Sequence, residues 1–144
     1  MIRMQQVVRS PAPAPAVFDY LADFTNAIRW DPNTVRVTRL AGAGEVGTVY
    51  RVVSTFAGRS TELDYRLTDR EPLALIRLRG EKKSVTAVDT IAVTAVDSGT
   101  EVCYTVEFDF HGVLGLAEPL LRPAVRSLLR AGADGLGRQL AELA

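Results

Sequence analysis

The side chains best suited to moving protons in this 144-residue sequence are Asp89, Tyr65 and Tyr104. Asp89 shares strand parity with Ile91 and Val93. Unbroken alternation would turn its carboxylate toward an apolar interior, where an unpaired charge is costly and the pKa rises. A carboxyl group held that way could act as acid or base. The competing reading is a β-bulge near Asp89-Thr90, or a rim position beside Arg77 or Arg79, either of which would release the side chain to water. Tyr65 and Tyr104 could each donate a hydrogen bond to a ligand carbonyl, although tyrosines also serve as core residues with a satisfied hydroxyl.

The remaining reactive groups do not form a constellation. His111, the only histidine, ends a strand on the face opposite Tyr104 and Phe108, and a general base there would not reach a ligand on the inner face. With one histidine and one cysteine, Cys103, neither a multi-cysteine metal site nor an intrachain disulfide can form. No cofactor is expected. Gly42-Ala43-Gly44-Glu45-Val46-Gly47 superficially matches a dinucleotide fingerprint, but that motif needs a helix next, and Thr48-Val49-Tyr50-Arg51-Val52-Val53 reads as a strand. Lysine plus arginine and aspartate plus glutamate are both 17. Without a run of like charge, no nucleic-acid partner is expected. The polar N-terminus and the lack of an apolar run of about 20 residues argue against secretion and a membrane span. A lone thiol suits a reducing compartment, so the expected location is cytoplasmic.

The elements that would position these residues can be read from periodicity. Ile2 to Arg9 forms a strand that ends at Pro11, Pro13 and Pro15. A helix then opens on Pro15, with Val17, Tyr20, Leu21 and Phe24 as its buried stripe. A short helix or turn ends at Trp30-Asp31-Pro32. Six β-prone runs follow: Val35 to Leu40, Thr48 to Phe56, Arg59 to Asp69, Leu73 to Arg79, Ser84 to Val96 and Thr100 to Phe110. Turn signals separate them, among them Ala57-Gly58, Gly80-Glu81-Lys82-Lys83 and Asp97-Ser98-Gly99. In the last run Val102, Tyr104, Val106, Phe108 and Phe110 alternate with polar residues, as in an antiparallel sheet covering something on one face. The cover is an amphipathic C-terminal helix with Leu121, Val125, Leu128, Gly132, Leu136, Leu140 and Leu143 inward. Arg122, Arg126, Arg130, Asp134 and Arg138 face outward, and Pro119 and Pro123 delay its regular part.

This order of elements resembles the polyketide cyclase/dehydrase branch of the START-like superfamily, which shares the helix-grip fold of the birch-pollen allergen. The resemblance spans the chain. It rests on Val17-Phe18-Asp19-Tyr20-Leu21 in the helix from Pro13 to Leu21, Trp30-Asp31-Pro32, Val46-Gly47-Thr48, Tyr65 after Gly58, Asp89-Thr90, Thr100 and Gly112. It implies one α+β domain over residues 1–144, in which a strongly curved seven-stranded antiparallel sheet grips a long C-terminal helix, with two short helices between the first two strands. Members of the superfamily include aromatase/cyclases, lipid-transfer proteins and quinone-binding proteins. The partner implied is thus an apolar small molecule held between sheet and helix, and the oligomeric state stays open between monomer and homodimer.

Gly132 focuses that expectation, because a glycine inside a helix costs about 1 kcal/mol relative to alanine. It could permit close packing, kink the helix or leave a cavity; with the resemblance, a cavity between Leu128 and Leu136 is expected. Its lining would be Tyr104, Val106 and Phe108 from the last strand, Leu63, Tyr65 and Leu67, and Ile91 and Val93. In the run Thr48 to Phe56 the inward set is either Tyr50, Val52, Ser54 and Phe56 or Val49, Arg51 and Val53, since a one-residue slip reverses the faces; the Tyr50 set is chosen. Trp30 either contacts the ligand at an entrance or plugs one end of the sheet. Three functions follow: binding of a polyketide-, lipid- or quinone-like molecule; a cyclase, aromatase or dehydratase using Tyr65, Asp89 or Tyr104; or an interaction module docking through the arginine face of the last helix.

Overall fold

A computed structural model of the chain describes residues 1–143. The first strand, β1 (Ile2–Ser10), ends where the prolines begin, and α1 (Ala14–Ala22) follows with Pro15 in its first turn, where a missing N–H breaks no bond. A 3-10 turn at Phe24–Asn26, capped by the Asp23 carboxylate on the Thr25 N–H, leads into the single turn α2 (Ala27–Trp30). Six strands come next: β2 (Thr34–Ala41), β3 (Val49–Phe56), β4 (Arg59–Glu71), β5 (Leu75–Lys82), β6 (Val85–Val96) and β7 (Gly99–Phe110). A short α3 (Val113–Leu116) precedes the long α4 (Glu118–Ala141).

The sheet order is β1-β7-β6-β5-β4-β3-β2, every pair antiparallel. β1 therefore pairs with the last strand, and all other neighbours in sequence are neighbours in space. Helix α4 touches β1 and β7 on one side of this order and β3 toward the other, so the sheet must curl around it. This is the expected helix-grip arrangement. Among the described residues no helix is long and apolar enough to cross a membrane.

Four local expectations need correction. Gly80 does not end a strand: β5 runs on to Lys82, with Gly80 paired to Tyr65 on one side and Ala87 on the other. A Cβ at Gly80 would lie 2.7 Å from Leu63 Cδ2. The Leu63 and Tyr65 side chains lean across it, so a larger residue there would have to displace them. In α1 the buried aromatic is Phe18, while Tyr20 stays half exposed with its hydroxyl near Gln139. Helix α4 is regular from Glu118, because Pro119 falls in the first turn and Pro123 forfeits only one internal bond. Its buried face is Val125, Leu129, Gly132, Ala133, Gly135, Leu136 and Leu140, so Leu121 and Leu128 lie on its flank rather than in the stripe.

Candidate functional site

Alternation along the strands sets one row of side chains on the concave face at each level. One such row reads Phe108, Ala87, Gly80, Tyr65 and Tyr50 across β7, β6, β5, β4 and β3. Its centre holds the two smallest residues available, and the Leu63 and Tyr65 side chains lean over Gly80. A cavity of about 440 Å³ opens beside this row, with Phe108 and Tyr65 on its wall, within the roughly 300–1,000 Å³ of small-molecule sites.

The walls are mostly apolar. Phe56, Phe108 and Phe110 stack with ring centroids 5.8 to 6.2 Å apart. Val52, Leu63, Val85 and Val106 add to the sheet side, which also carries Ser54 and Thr61, and Leu114, Leu121 and Leu128 come from the helices. The outer end lies at the β3–β4 and β5–β6 turns, where Ala57, Arg59, Lys82 and Ser84 line it. Ala57 and Gly58 both have positive φ, as the tight two-residue connection between twisted strands demands.

The inner end is polar, and Asp89 forms it. Register runs without a shift through Leu78–Asp89–Val106 and Thr90–Thr105, so the bulge offered as one reading of Asp89-Thr90 is absent. The side chain points inward at 6% exposure, away from Arg77, which instead reaches Asp69 and Thr90. The Tyr104 hydroxyl donates to Asp89 Oδ2 at 3.2 Å. Burial pushes the Asp89 carboxyl up to about 7; the Tyr104 bond opposes this and the neighbouring Asp31 charge adds to it. Burial, then the Asp89 and Asp31 charges, also raise Tyr65 and Tyr104 well above the usual phenol range, so both stay protonated.

Asp31 is a residue that periodicity could not single out, because it sits in a connection. Its carboxylate accepts from the Asn33 backbone N–H (3.0 Å), Asn33 Nδ2 (3.1 Å) and Thr34 Oγ1 (3.1 Å). Burial still raises its pKa despite those bonds. Asn33 Nδ2 also donates to the Leu128 carbonyl, which ties this loop to α4 at the cavity wall.

Of the expected lining, Val52, Phe56, Leu63, Tyr65, Tyr104, Val106, Phe108 and Leu128 are on the wall. The Tyr50 set does face inward. Seven expected residues are not on the wall: Trp30, Tyr50, Leu67, Ile91, Val93, Gly132 and Leu136. Each is covered by a neighbouring group. Tyr50 packs edge-on against Phe24 (5.9 Å), and Trp30 stands edge-on to Tyr104 (5.5 Å) as a plug between the cavity floor and α4. The hollow does not surround Gly132, whose added Cβ would meet Asp31 and Tyr104 at ordinary contact distances of 3.6 and 3.7 Å. It lies nearer the N-terminus of α4, beside Leu121 and Leu128.

His111 Nε2 is 2.9 Å from Thr86 Oγ1, and the ring is off the cavity wall. Among the described residues no group of three or more His, Cys, Asp or Glu could hold a metal. Phe110 and Val85 were legible by strand parity, whereas Ser84, Leu114 and Arg59 gave no periodic signal.

The family model described as polyketide cyclase/dehydrase and lipid transport matches residues 1–141. In fold the chain is similar to the aromatase/cyclase Zhui from a Streptomyces strain (TM-score 0.79, 18% identity, covering 96% of this chain and 90% of that one). It is also similar to a START superfamily protein from Mycobacterium smegmatis (TM-score 0.83, 13% identity, covering 99% of each). No functionally curated protein matches the sequence.

Proposed function

The chain belongs to the polyketide cyclase/dehydrase and lipid transport family, and from that premise we propose that it binds an apolar or aromatic small molecule of polyketide, lipid or quinone type between sheet and α4. The observation that carries this reading is the unfilled, aromatic-walled volume between the sheet residues Phe56, Leu63, Phe108 and Phe110 and the helical residues Leu114, Leu121 and Leu128. A ligand there gains roughly 25 cal/mol for each Å² of apolar surface it buries. Phe56, Leu63, Phe108 and Leu128 would supply that burial, while Tyr65 and Tyr104 would donate to its oxygens.

Native mass spectrometry of the purified full chain tests the proposal by the appearance of a co-purifying small molecule. A second arm follows an environment-sensitive apolar dye. Leu63→Trp and Leu128→Trp add ring volume at the cavity wall, so both should abolish dye binding, with circular dichroism checking that the fold is kept. Unchanged dye binding in both variants would end this reading.

Asp89 favours a second reading, that of a cyclase or dehydratase. A carboxyl group titrating at about 7 exchanges protons readily near neutrality. As carboxylate it would take a proton from a carbon next to a ligand carbonyl, with Tyr65 donating a hydrogen bond to the developing enolate oxygen. As the acid it would return that proton to a departing β-hydroxyl, which leaves as water. Asp89→Asn separates the two readings, since a carrier retains its affinity and an enzyme offered a β-hydroxy ketone loses turnover.

A further inference from the structure

We propose that α3 and the first turn of α4 dock on an anionic membrane surface, the source or sink of the cavity's ligand. This deepens the apolar-ligand reading and rests on it for its purpose, though not for the docking itself. Val113, Leu116 and Leu120 are 83%, 86% and 82% exposed, more than any other large apolar side chain described here. Single exposed leucines are commonplace, but three so bare within one short segment are not.

The same segment is apolar on its inner side. Leu114 and Leu121 turn into the cavity wall, and α3 buries none of its own residues. One thin layer therefore separates the hollow from the exposed patch, and a ligand passing between bilayer and cavity would meet leucine on both sides.

The charge beside the patch fits one partner class. Arg59 and Lys82 line the outer end of the cavity, and Lys83 lies in the adjoining turn. None of the three is ion-paired with a carboxylate among the described residues, and Lys82 only donates to the Glu62 carbonyl. Two of the acids in this region are occupied, Glu118 by the Met1 amino group and Glu81 by Arg79. Projecting apolar side chains beside unpaired cations suit an anionic bilayer, in which leucines enter the acyl boundary while cations stay among the headgroups. A protein partner would have to offer a fitted pocket to each of three side chains that stand free of any neighbour; a fluid interface conforms to them.

Vesicle flotation of the full chain tests this. The protein should float with phosphatidylcholine vesicles containing about a third phosphatidylserine, and at least about tenfold less with phosphatidylcholine alone. Leu116→Asp combined with Leu120→Asp should lower flotation by at least about tenfold while leaving dye binding in the cavity unchanged. Lys83→Glu should weaken only the phosphatidylserine-dependent part. The proposal is overturned if the wild type stays with the unbound fraction, or if the double variant floats as well as the wild type. It is equally overturned if the patch instead mediates a dimer, or binds an acidic protein, without flotation. Flotation with no dye binding would sink the cavity reading and leave the docking surface standing.

Discussion

The two ends of the concave sheet carry similar side chains and have opposite fates. Toward Leu67, Ile91, Val93 and Val102 the sheet is sealed, with exposures of 5% or less, beneath a layer that includes Val17, Phe18 and Leu21 of α1, the Trp30 plug, and Leu136 and Leu140 of α4. Toward Leu63, Phe108 and Phe110 the helical layer offers only Leu114, Leu121 and Leu128, and the space stays open. Along one strand, β4, Leu67 is fully buried while Tyr65 and Leu63 are only partly buried, on the cavity wall. An alternating apolar strand therefore specifies a wall but not whether that wall encloses core or pocket; the opposing layer decides.

Truncation at each end gives the largest test of that contrast. Trp30→Ala removes the plug between Tyr104 and α4 and should cost about 3–5 kcal/mol in urea denaturation. Phe108→Ala deletes a ring that already borders empty space and should cost under about 1.5 kcal/mol, because few packed neighbours are lost. Equal costs would erase the distinction between the two ends. Gly135→Ala probes the sealed end from the other direction. Its Cβ would collide with the Trp30 carbonyl oxygen, a backbone atom that cannot rotate away. A loss of about 2–3 kcal/mol is expected, as for overpacking elsewhere.

Asp89 stands at the boundary between the ends, and its titration measures how dry that boundary is. In the unfolded chain the carboxyl has a pKa of about 4, against about 7 in the fold. Between those values the folded state holds more protons than the unfolded one, so the group's contribution to stability falls as pH rises from about 4 to about 7 and stays low above. Asp89→Asn keeps a neutral group that can accept from Tyr104. It should stabilise the protein by about 1–3 kcal/mol at pH near 8 and by little at pH near 5. Comparing chemical denaturation at the two pH values checks this, and a pH-independent effect would mean that water reaches the carboxylate.

What the sequence made legible follows from the same contrast. The pairing of consecutive strands was readable from the turns between them, and the inward parity of Tyr104 and Phe108 and the apolar face of the last helix from period-two and helical patterns; for Tyr50 alternation left two sets open, and the grip of the whole sheet on the helix came from the family resemblance. The position of the hollow was not legible. It depends on where Trp30 lands and on which part of the sheet is left facing only Leu114, Leu121 and Leu128, which are consequences of tertiary packing. Asp31 was invisible for a related reason, since an aspartate before a proline in a connection reads as turn chemistry whether or not it faces a cavity.

Gly132 gives the smallest expected effect. Three glycines interrupt α4, and sequence alone drew attention to the one in the middle of the stripe, yet the one pressed against backbone is Gly135. A methyl group at Gly132 would rest at 3.6 to 3.8 Å from Asp31 and Tyr104, ordinary contact distances. Alanine also restores the helix propensity that glycine forfeits, about 1 kcal/mol in an exposed helix interior. Gly132→Ala should therefore be neutral or stabilising by up to about 1 kcal/mol, with dye affinity in the cavity changed less than about twofold because the added group sits beneath the floor rather than in the hollow. A large loss of dye affinity would move the cavity back to Gly132 and place the Trp30 plug on the ligand; a large loss of stability would make that turn of α4 as tightly packed as the turn at Gly135.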